Sequence, residues 1–457
     1  MRWLLVNCML RTTATRDGTR VPLACLGLLA VAAEGGYDVA FRDYQLAEDC
    51  DALSAGHFAA FIDDPDADVV AISCMSNLLP LVIGGTAILK ARRPGVIVVL
   101  GGIGPSGVAA PLMHAFPHVD VVALGEGEAT FCQLLAASAR HELSSAHGIL
   151  FRTASFGVEV VRTEATAGRL ALDELPIPAY DRVEMRRYRT VGIQTARGCP
   201  FPCRFCDVSA FWGRKTTYRS VPRVMEELHL IESHGFSHIE ILDDTFILDR
   251  GRTEAFCRGW TREKFSIRWS AYCRIDLLDD ALIDLMAASG CHRVFLGLES
   301  GSDRVLRRMS KPFNRGQLLH AVSGMVPLYA VACNLMWGFP FETIDDLLQT
   351  VELMDVLSAA GCIVTLSLVS PLPLSRLYAE HADDLVFRSD VQSSFISTRF
   401  FDRSARLVDC RPEGFVELIA RHPLVFPGFY IFRHDAFDAK LELLAERGLG
   451  AEKLSRQ

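Results

Sequence analysis

Three cysteines fall within eight residues, Cys199-Pro-Phe-Pro-Cys203-Arg-Phe-Cys206, on a segment punctuated by glycine and proline. Thiolates at this C-x3-C-x2-C spacing can hold three irons of a cubic 4Fe–4S cluster. A cubane needs four ligands, so the fourth iron is open to a small molecule that binds there and receives an electron. Structural zinc wants four ligands, and the chain has no second Cys-x2-Cys pair to complete such a site. Two His-x3-His spacings occur, His114/His118 and His234/His238. Pro117 interrupts the first, and Gly235 marks a helix end inside the second, so neither offers two ligands on one helical face. His292 beside Cys291 reads as core or loop. The start Met-Arg-Trp-Leu-Leu-Val-Asn reads as a strand, not a signal peptide, and the 14 cysteines are scattered. Disulfide use is therefore not expected, and a reducing, cytoplasmic compartment is.

The elements that must position such a loop are legible from hydrophobic pattern. The chain has 457 residues, half of them apolar, enough for two or three domains. A net charge of -8 argues against nucleic acid as the main partner; Arg182–Arg189 reads as a solvated basic face. No apolar run is long enough to span a membrane, and Leu23–Ala33 reads as a buried helix. Residues 1–140 alternate short buried strands (Trp3–Asn7, Tyr37–Asp43, Val69–Ser73, Val96–Leu100, Val119–Ala123) with helical segments. This order predicts a doubly wound, Rossmann-like parallel sheet whose ligands bind beyond the carboxyl ends of the strands. Those ends carry Ser73-Cys-Met-Ser-Asn77, Gly101-Gly-Ile-Gly104 and Gly125-Glu-Gly-Glu128. Residues 141–184 form a linker with a hairpin of Ile149–Arg152 and Val158–Arg162. Residues 185–375 give six strand–helix units, at Val191–Thr195, His238–Asp243, Ile267–Ala271, Arg293–Leu298, Cys333–Trp337 and Ile363–Leu368, which fit a partial (β/α)6 barrel of TIM type. Chemistry in such barrels sits at the carboxyl ends of the strands. Residues 376–457 form a mostly helical carboxyl-terminal domain, with an aromatic-rich stretch at Phe426–Phe432.

The cysteine segment resembles the cluster motif of the radical SAM enzymes, in which S-adenosylmethionine (SAM) chelates the fourth iron and is cleaved to a 5′-deoxyadenosyl radical. The resemblance continues through Gly213-Arg-Lys-Thr-Thr-Tyr-Arg-Ser220, Ile241-Leu-Asp-Asp-Thr-Phe246, Ala271-Tyr-Cys-Arg-Ile-Asp276, Gly297-Leu-Glu-Ser-Gly-Ser-Asp303 and Gly338-Phe-Pro-Phe-Glu-Thr343. These are similar to the barrel strands of the cobalamin-binding branch, which includes hopanoid methylases and anaerobic porphyrin-ring cyclases. The resemblance implies a cobalamin-binding domain at 1–140 and a radical SAM barrel at 185–375. The Asp-x-His-x-x-Gly motif of many cobalamin proteins is absent, since Leu10–Pro22 contains no histidine, so no imidazole from that loop ligates cobalt.

What the resemblance implies for residues can be set beside their chemistry. Cys199, Cys203 and Cys206 hold the cluster. Phe205 packs over it or over adenine. Asp243 or Asp244 meets the methionine ammonium or a substrate amine. Arg274 pairs with a carboxylate, that of SAM or a structural one. Glu299 accepts from the ribose diol, and the Gly338–Pro340 turn shapes the adenine site. Ser73, Met75, Ser76, Gly101, Gly102, Gly104, Gly125, Glu126 and Gly127 surround cobalamin. Tyr272 and Trp337 line the substrate cavity. The implied activity is C-methylation of an unactivated carbon of a small molecule or natural product. Its implied partner is an electron donor such as flavodoxin or ferredoxin. Two alternatives stand: a non-methylating radical cyclase, dehydrogenase, dehydratase or ring-rearranging oxidoreductase, and a non-catalytic corrinoid- or iron–sulfur-binding regulator.

Overall fold

The segment Trp3–Cys8 is apolar along most of its length and buried throughout, which marks a central strand of a parallel sheet covered on both faces. In the computed structural model it is β1 of a seven-stranded sheet. The others are β2 (Val39–Asp43), β3 (Val69–Cys74), β4 (Ile97–Gly101), β5 (Val121–Ala123), β6 (Ile149–Thr153) and β7 (Glu159–Arg162). The structure describes residues 1–10, 18–47, 52–140, 142–153, 159–164, 170–388 and 414–449; Val158 of the expected hairpin lies outside them.

The strand order is β2-β1-β3-β4-β5-β6-β7, with β1 to β5 parallel. The order reverses between β1 and β3, so the sheet has a topological switch point there. The hairpin β6–β7 joins β5 antiparallel and extends this sheet. The chain divides into two compact units, the first comprising Met1–Leu170, Glu174–Tyr188 and Phe395–Phe429.

The second unit comprises Ala171–Asp173, Arg189–Ser394 and Tyr430–Gln457. It is built on β8 (Val191–Ile193), the short pair β9 (Ala196–Arg197) and β10 (Thr217–Tyr218), then β11 (His238–Ile241), β12 (Arg268–Cys273), β13 (Cys291–Glu299), β14 (Ala330–Trp337) and β15 (Ile363–Leu368). Six of these pair in parallel in chain order, β8-β11-β12-β13-β14-β15. Consecutive parallel strands require a helical return between them. The helices Val221–Ser233, Arg250–Glu263, Asp280–Ala288, Arg315–Met325 and Ile344–Ala359 supply those returns. This is the singly wound order that a partial (β/α)6 barrel requires. Because neighbours are parallel, all six carboxyl ends share one edge of the sheet.

In the carboxyl-terminal stretch, helices run over Phe415–Arg421 and Phe437–Glu446. A short strand, β17 (Ile431–Phe432), pairs with β16 (Leu385–Val386), an element with no periodic signal in the sequence. The described residues 414–429 belong to the first unit and 430–449 to the second. Among the described residues no helix is long and apolar enough to cross a membrane.

Candidate active site

The cysteine loop leaves β8 at its carboxyl end and is fastened from beneath by Asp243, at the end of β11. Asp243 is fully buried and accepts from Thr195 N at 2.6 Å, Thr195 Oγ1 at 2.5 Å and Ala196 N at 2.9 Å. Burial pushes its carboxyl up to about 6 against the pull of those donors. Both oxygens are thus engaged by the loop. Asp244 accepts from Gly198 N at 3.0 Å. Arg252 adds two bonds to backbone carbonyls, Thr195 O and Arg219 O, each at 3.0 Å. Arg219 itself is spent on the buried carboxylate of Glu227.

The loop's far side is held by apolar packing. Phe205 lies against a buried cluster of Val305, Met309, Phe339, Val369, Leu377 and Phe432. The carbonyl of Arg204 accepts from Leu377 N at 2.7 Å. A Cys203–Cys206 turn closes the loop, with Cys206 N donating to Cys203 O at 3.2 Å. The loop therefore holds its shape through its own protein contacts.

The thiols are half-buried and electrostatically coupled. Burial pushes Cys206 up to about 12, and the neighbouring Asp207, Cys203 and Cys199 push the same way. Burial also raises Cys199, opposed by the Phe201 backbone N–H and Thr245. Arg274 Nη1 stands 3.4 Å from Cys203 Sγ, while its Nε and Nη2 reach the two oxygens of Asp276 at 3.1 Å each. Its guanidinium lies 3.6 Å from the centroid of Phe201. Asp276 is thus a carboxylate partner of Arg274, and the remaining Nη1 faces a cysteine.

The other strand ends show how the sequence motifs fold. Glu299 ends β13 with φ +67°, a left-handed backbone that a non-glycine residue holds only when its surroundings enforce it. A Cβ at Gly297 would sit 2.5 Å from Glu299 Oε1, so the glycine makes room for that carboxylate. Lys311 Nζ donates to Glu299 Oε1 at 2.8 Å and to Gly297 O at 3.2 Å, and all three groups are buried or half-buried. Sequence reading missed Lys311; nothing in its spacing singles it out. Gly338 follows β14 with φ +86°, and a Cβ there would meet Leu368 Cδ1 at 2.4 Å. Half-buried Pro340 completes the turn beside fully buried Phe339. Of the two aromatics expected toward substrate, Tyr272 donates to Glu240 Oε1 at 2.8 Å and stacks on Phe295, and Trp337 stacks on Phe437 with centroids 5.4 Å apart.

In the first unit, the ends of β3, β4 and β5 gather Ser73, Met75, Ser76, Gly101, Gly102, Gly104, Gly125, Glu126 and Gly127 on one edge. Gly102, at φ +97°, and Gly104 let the segment after β4 touch the backbone of Cys74–Ser76: added Cβ atoms would lie 2.7 Å from Cys74 O and 2.6 Å from Ser76 N. Gly125, at φ +70°, faces open space. Met75 is 44% exposed at the end of a buried strand. Asn77, beside the switch point, has both side-chain Nδ2 and Oδ1 buried without a hydrogen-bond partner. A cavity of about 330 Å³ beside β2, lined by Phe41, Arg42, Phe61, Arg182, Arg187 and Tyr188, contains none of these residues.

One parallel sheet carries glycine-rich turns after β4 and β5, and a second, chain-ordered parallel sheet bears three cysteines at its carboxyl edge. The comparisons with known proteins agree. Residues 193–354 match the radical SAM superfamily and residues 11–135 the B12 binding domain. An uncharacterized methyltransferase of Pyrococcus horikoshii is 32% identical over 371 residues, covering 79% of this chain and 78% of that protein. The anaerobic magnesium-protoporphyrin IX monomethyl ester cyclase of a Synechocystis species is 27% identical, over 72% of this chain and 68% of the cyclase. The fold matches the radical SAM methyltransferase TsrM from Kitasatospora setae, solved with cobalamin and a 4Fe–4S cluster, with TM-score 0.67 at 18% identity over 84% of this chain and 75% of that one. The chain belongs to the radical SAM superfamily, in the branch that carries a B12-binding domain. Its cofactors are a 4Fe–4S cluster, SAM and cobalamin.

The residues fit those groups. Three neighbouring thiols, two of them raised by burial, with backbone N–H groups and one guanidinium beside them form a donor set that bound iron would convert to thiolates. Among the described residues no three His, Cys, Asp or Glu converge on one ion; cubane cysteines, each on its own iron, have no need to converge. Asn77's unpartnered amide matches the amide-rich periphery of a corrin, and the open face of Gly125 leaves room for one.

Proposed function

We propose that this chain is a cobalamin-dependent radical SAM methyltransferase that alkylates an unactivated carbon of a small molecule. When bound, the cluster with SAM supplies a carbon-centred radical and cobalamin supplies a methyl carrier. The chain's own residues hold, orient and screen these groups. Cys199, Cys203 and Cys206 hold the cluster, and Asp243 with Arg252 fixes the loop that presents them. Arg274 offsets thiolate charge at Cys203 and donates to its sulfur. Glu299, fixed by Lys311, offers an acceptor to ribose hydroxyls. Asp244, Phe205 and the Gly338–Pro340 turn surround the rest of SAM. Ser73, Met75, Ser76, Gly101, Gly102, Gly104 and Gly125–Gly127 form the corrin floor, joined by Asn77. Tyr272, stacked on Phe295, and Trp337, stacked on Phe437, are the aromatics that line the substrate cavity in this reading.

The observation that carries this reading is the common edge: three cysteines, Arg274, strained Glu299 and the Gly338 turn all sit at carboxyl ends of strands of one parallel sheet. In this reading residues 1–140 act as the cobalamin domain, 141–184 as linker, 185–375 as the radical domain and 376–457 as a mostly helical carboxyl-terminal domain. The electron comes from a flavodoxin or ferredoxin, and the free cysteines of the described residues suit the cytoplasm. The cyclase relative supports a second reading, a non-methylating radical cyclase. Anaerobically reconstituted protein carrying reduced cobalamin, given methyl-deuterated SAM, separates the two. Methylation predicts deuterated methyl on the cobalamin with S-adenosylhomocysteine in equal amount; the cyclase reading predicts neither.

A further inference from the structure

The Gly338 turn is gripped by the carboxyl-terminal helix Phe437–Glu446. Glu342 Oε2 accepts Gly338 N at 2.8 Å, and Glu342 N donates to Phe339 O at 3.0 Å, which fixes the turn's shape. This carboxylate is fully buried, and its Oε1 has no hydrogen-bond partner. A buried carboxylate requires a compensating charge. Lys440, itself fully buried and 98 residues further on, supplies it: Nζ donates to Glu342 Oε2 at 2.8 Å and to Glu342 O at 2.7 Å. Phe437, three residues earlier and so on the same helix face, stacks on Trp337, the residue before Gly338. One helix face thus holds the turn on both flanks, at Trp337 and at Glu342.

We infer that Lys440 is a positioning residue for SAM, acting through Glu342 on the Gly338 turn; this rests on the reading that the turn faces SAM. A hydrophobic pair could pack this helix, but it would leave a buried carboxylate oxygen that already accepts Gly338 N–H without the second donor and the charge that Lys440 supplies. The pair therefore ties turn conformation to the carboxyl-terminal segment.

The test uses full-length, cluster-reconstituted protein, with SAM affinity measured by anaerobic equilibrium binding and by the change SAM makes in the electron paramagnetic resonance of the reduced cluster. Lys440→Met leaves a buried charge, so the deciding variant is Glu342→Gln with Lys440→Met, which removes both charges. It is expected to keep its iron and its thermal midpoint within a few degrees while SAM binding weakens about tenfold or more. Unchanged affinity in that variant overturns the inference. Gly338→Ala separates the underlying reading: if it too binds SAM normally, the turn is not part of the SAM site; if it alone loses affinity, only the role of Lys440 fails. Wild-type hydrogen exchange gives an answer even if the variants do not fold. SAM is expected to slow exchange across 437–446 together with 337–343, and protection confined to 337–343 overturns the inference.

Discussion

Arg274 shows how one side chain serves both fold and chemistry. Two of its nitrogens are neutralised by Asp276, and the third donates toward Cys203 at 3.4 Å. A cation beside a cluster ligand stabilises the reduced state, whose charge is more negative. Arg274→Leu is therefore expected to lower the cluster's reduction potential. A lost charge-assisted contact of about 1 kcal/mol corresponds to roughly 40 mV for one electron. Redox titration followed by electron paramagnetic resonance measures this; an unchanged or raised potential contradicts the assignment. Cysteine spacing made the cluster legible in the sequence, because three ligands within eight residues need no tertiary information. The tasks of Asp243 and Lys311 were not legible. Asp243 pairs with backbone 48 residues away and Lys311 with a carboxylate on a neighbouring element, so only the fold reveals that their charges are already engaged.

At the scale of elements, the glycines after β4 set how closely two strand-end segments approach. Gly102→Ala places a Cβ 2.7 Å from Cys74 O on a backbone at φ +97°. It is expected to destabilise the first unit by about 2 kcal/mol or more and to weaken cobalamin retention. Urea unfolding read from that unit checks it, and an unshifted midpoint contradicts it. The helix Phe437–Glu446 carries a second consequence through His434, whose ring packs 5.3 Å from Phe437 with neither nitrogen hydrogen-bonded. Burial, with Lys440 nearby and Asp435 opposing, pushes this imidazole down to about 4. The unfolded chain then takes up a proton first, so this contribution to stability is complete above the ordinary histidine range and is lost as pH falls toward 4. Discounted for partial exposure, the loss between pH 7 and pH 5 is on the order of 1 kcal/mol. Thermal unfolding of the wild type and of His434→Leu at both pH values is expected to show the smaller pH dependence in the variant. The long strands and helices were legible because burial imposes their periodicity. The two-residue strands β9, β10, β16 and β17 and the helix Ala55–Ile62 were not, since two residues carry no period and Ala-Gly-His-Phe-Ala-Ala-Phe-Ile has no start signal beyond Ser54.

For the molecule as a whole, two parallel sheets obey one rule, that chemistry collects where parallel strands end. That rule, applied to strand order alone, places the glycine-rich turns on one edge of the first sheet and the cysteine loop, Arg274, Glu299 and Gly338 on one edge of the second. The alternation of strand and helix was readable from hydrophobic runs. The position of the hairpin β6–β7 as an extension of the first sheet was not, because antiparallel addition to β5 depends on an edge that exists only once the sheet has formed. The most direct measurement is anaerobic incubation of the iron- and sulfide-reconstituted chain with SAM and a strong reductant, followed by mass spectrometric assay of 5′-deoxyadenosine. The account predicts its formation by the wild type and its loss when Cys199, Cys203 and Cys206 are all changed to alanine. Equal yields from both proteins, or none from a wild type shown to carry a reducible cluster, would contradict it.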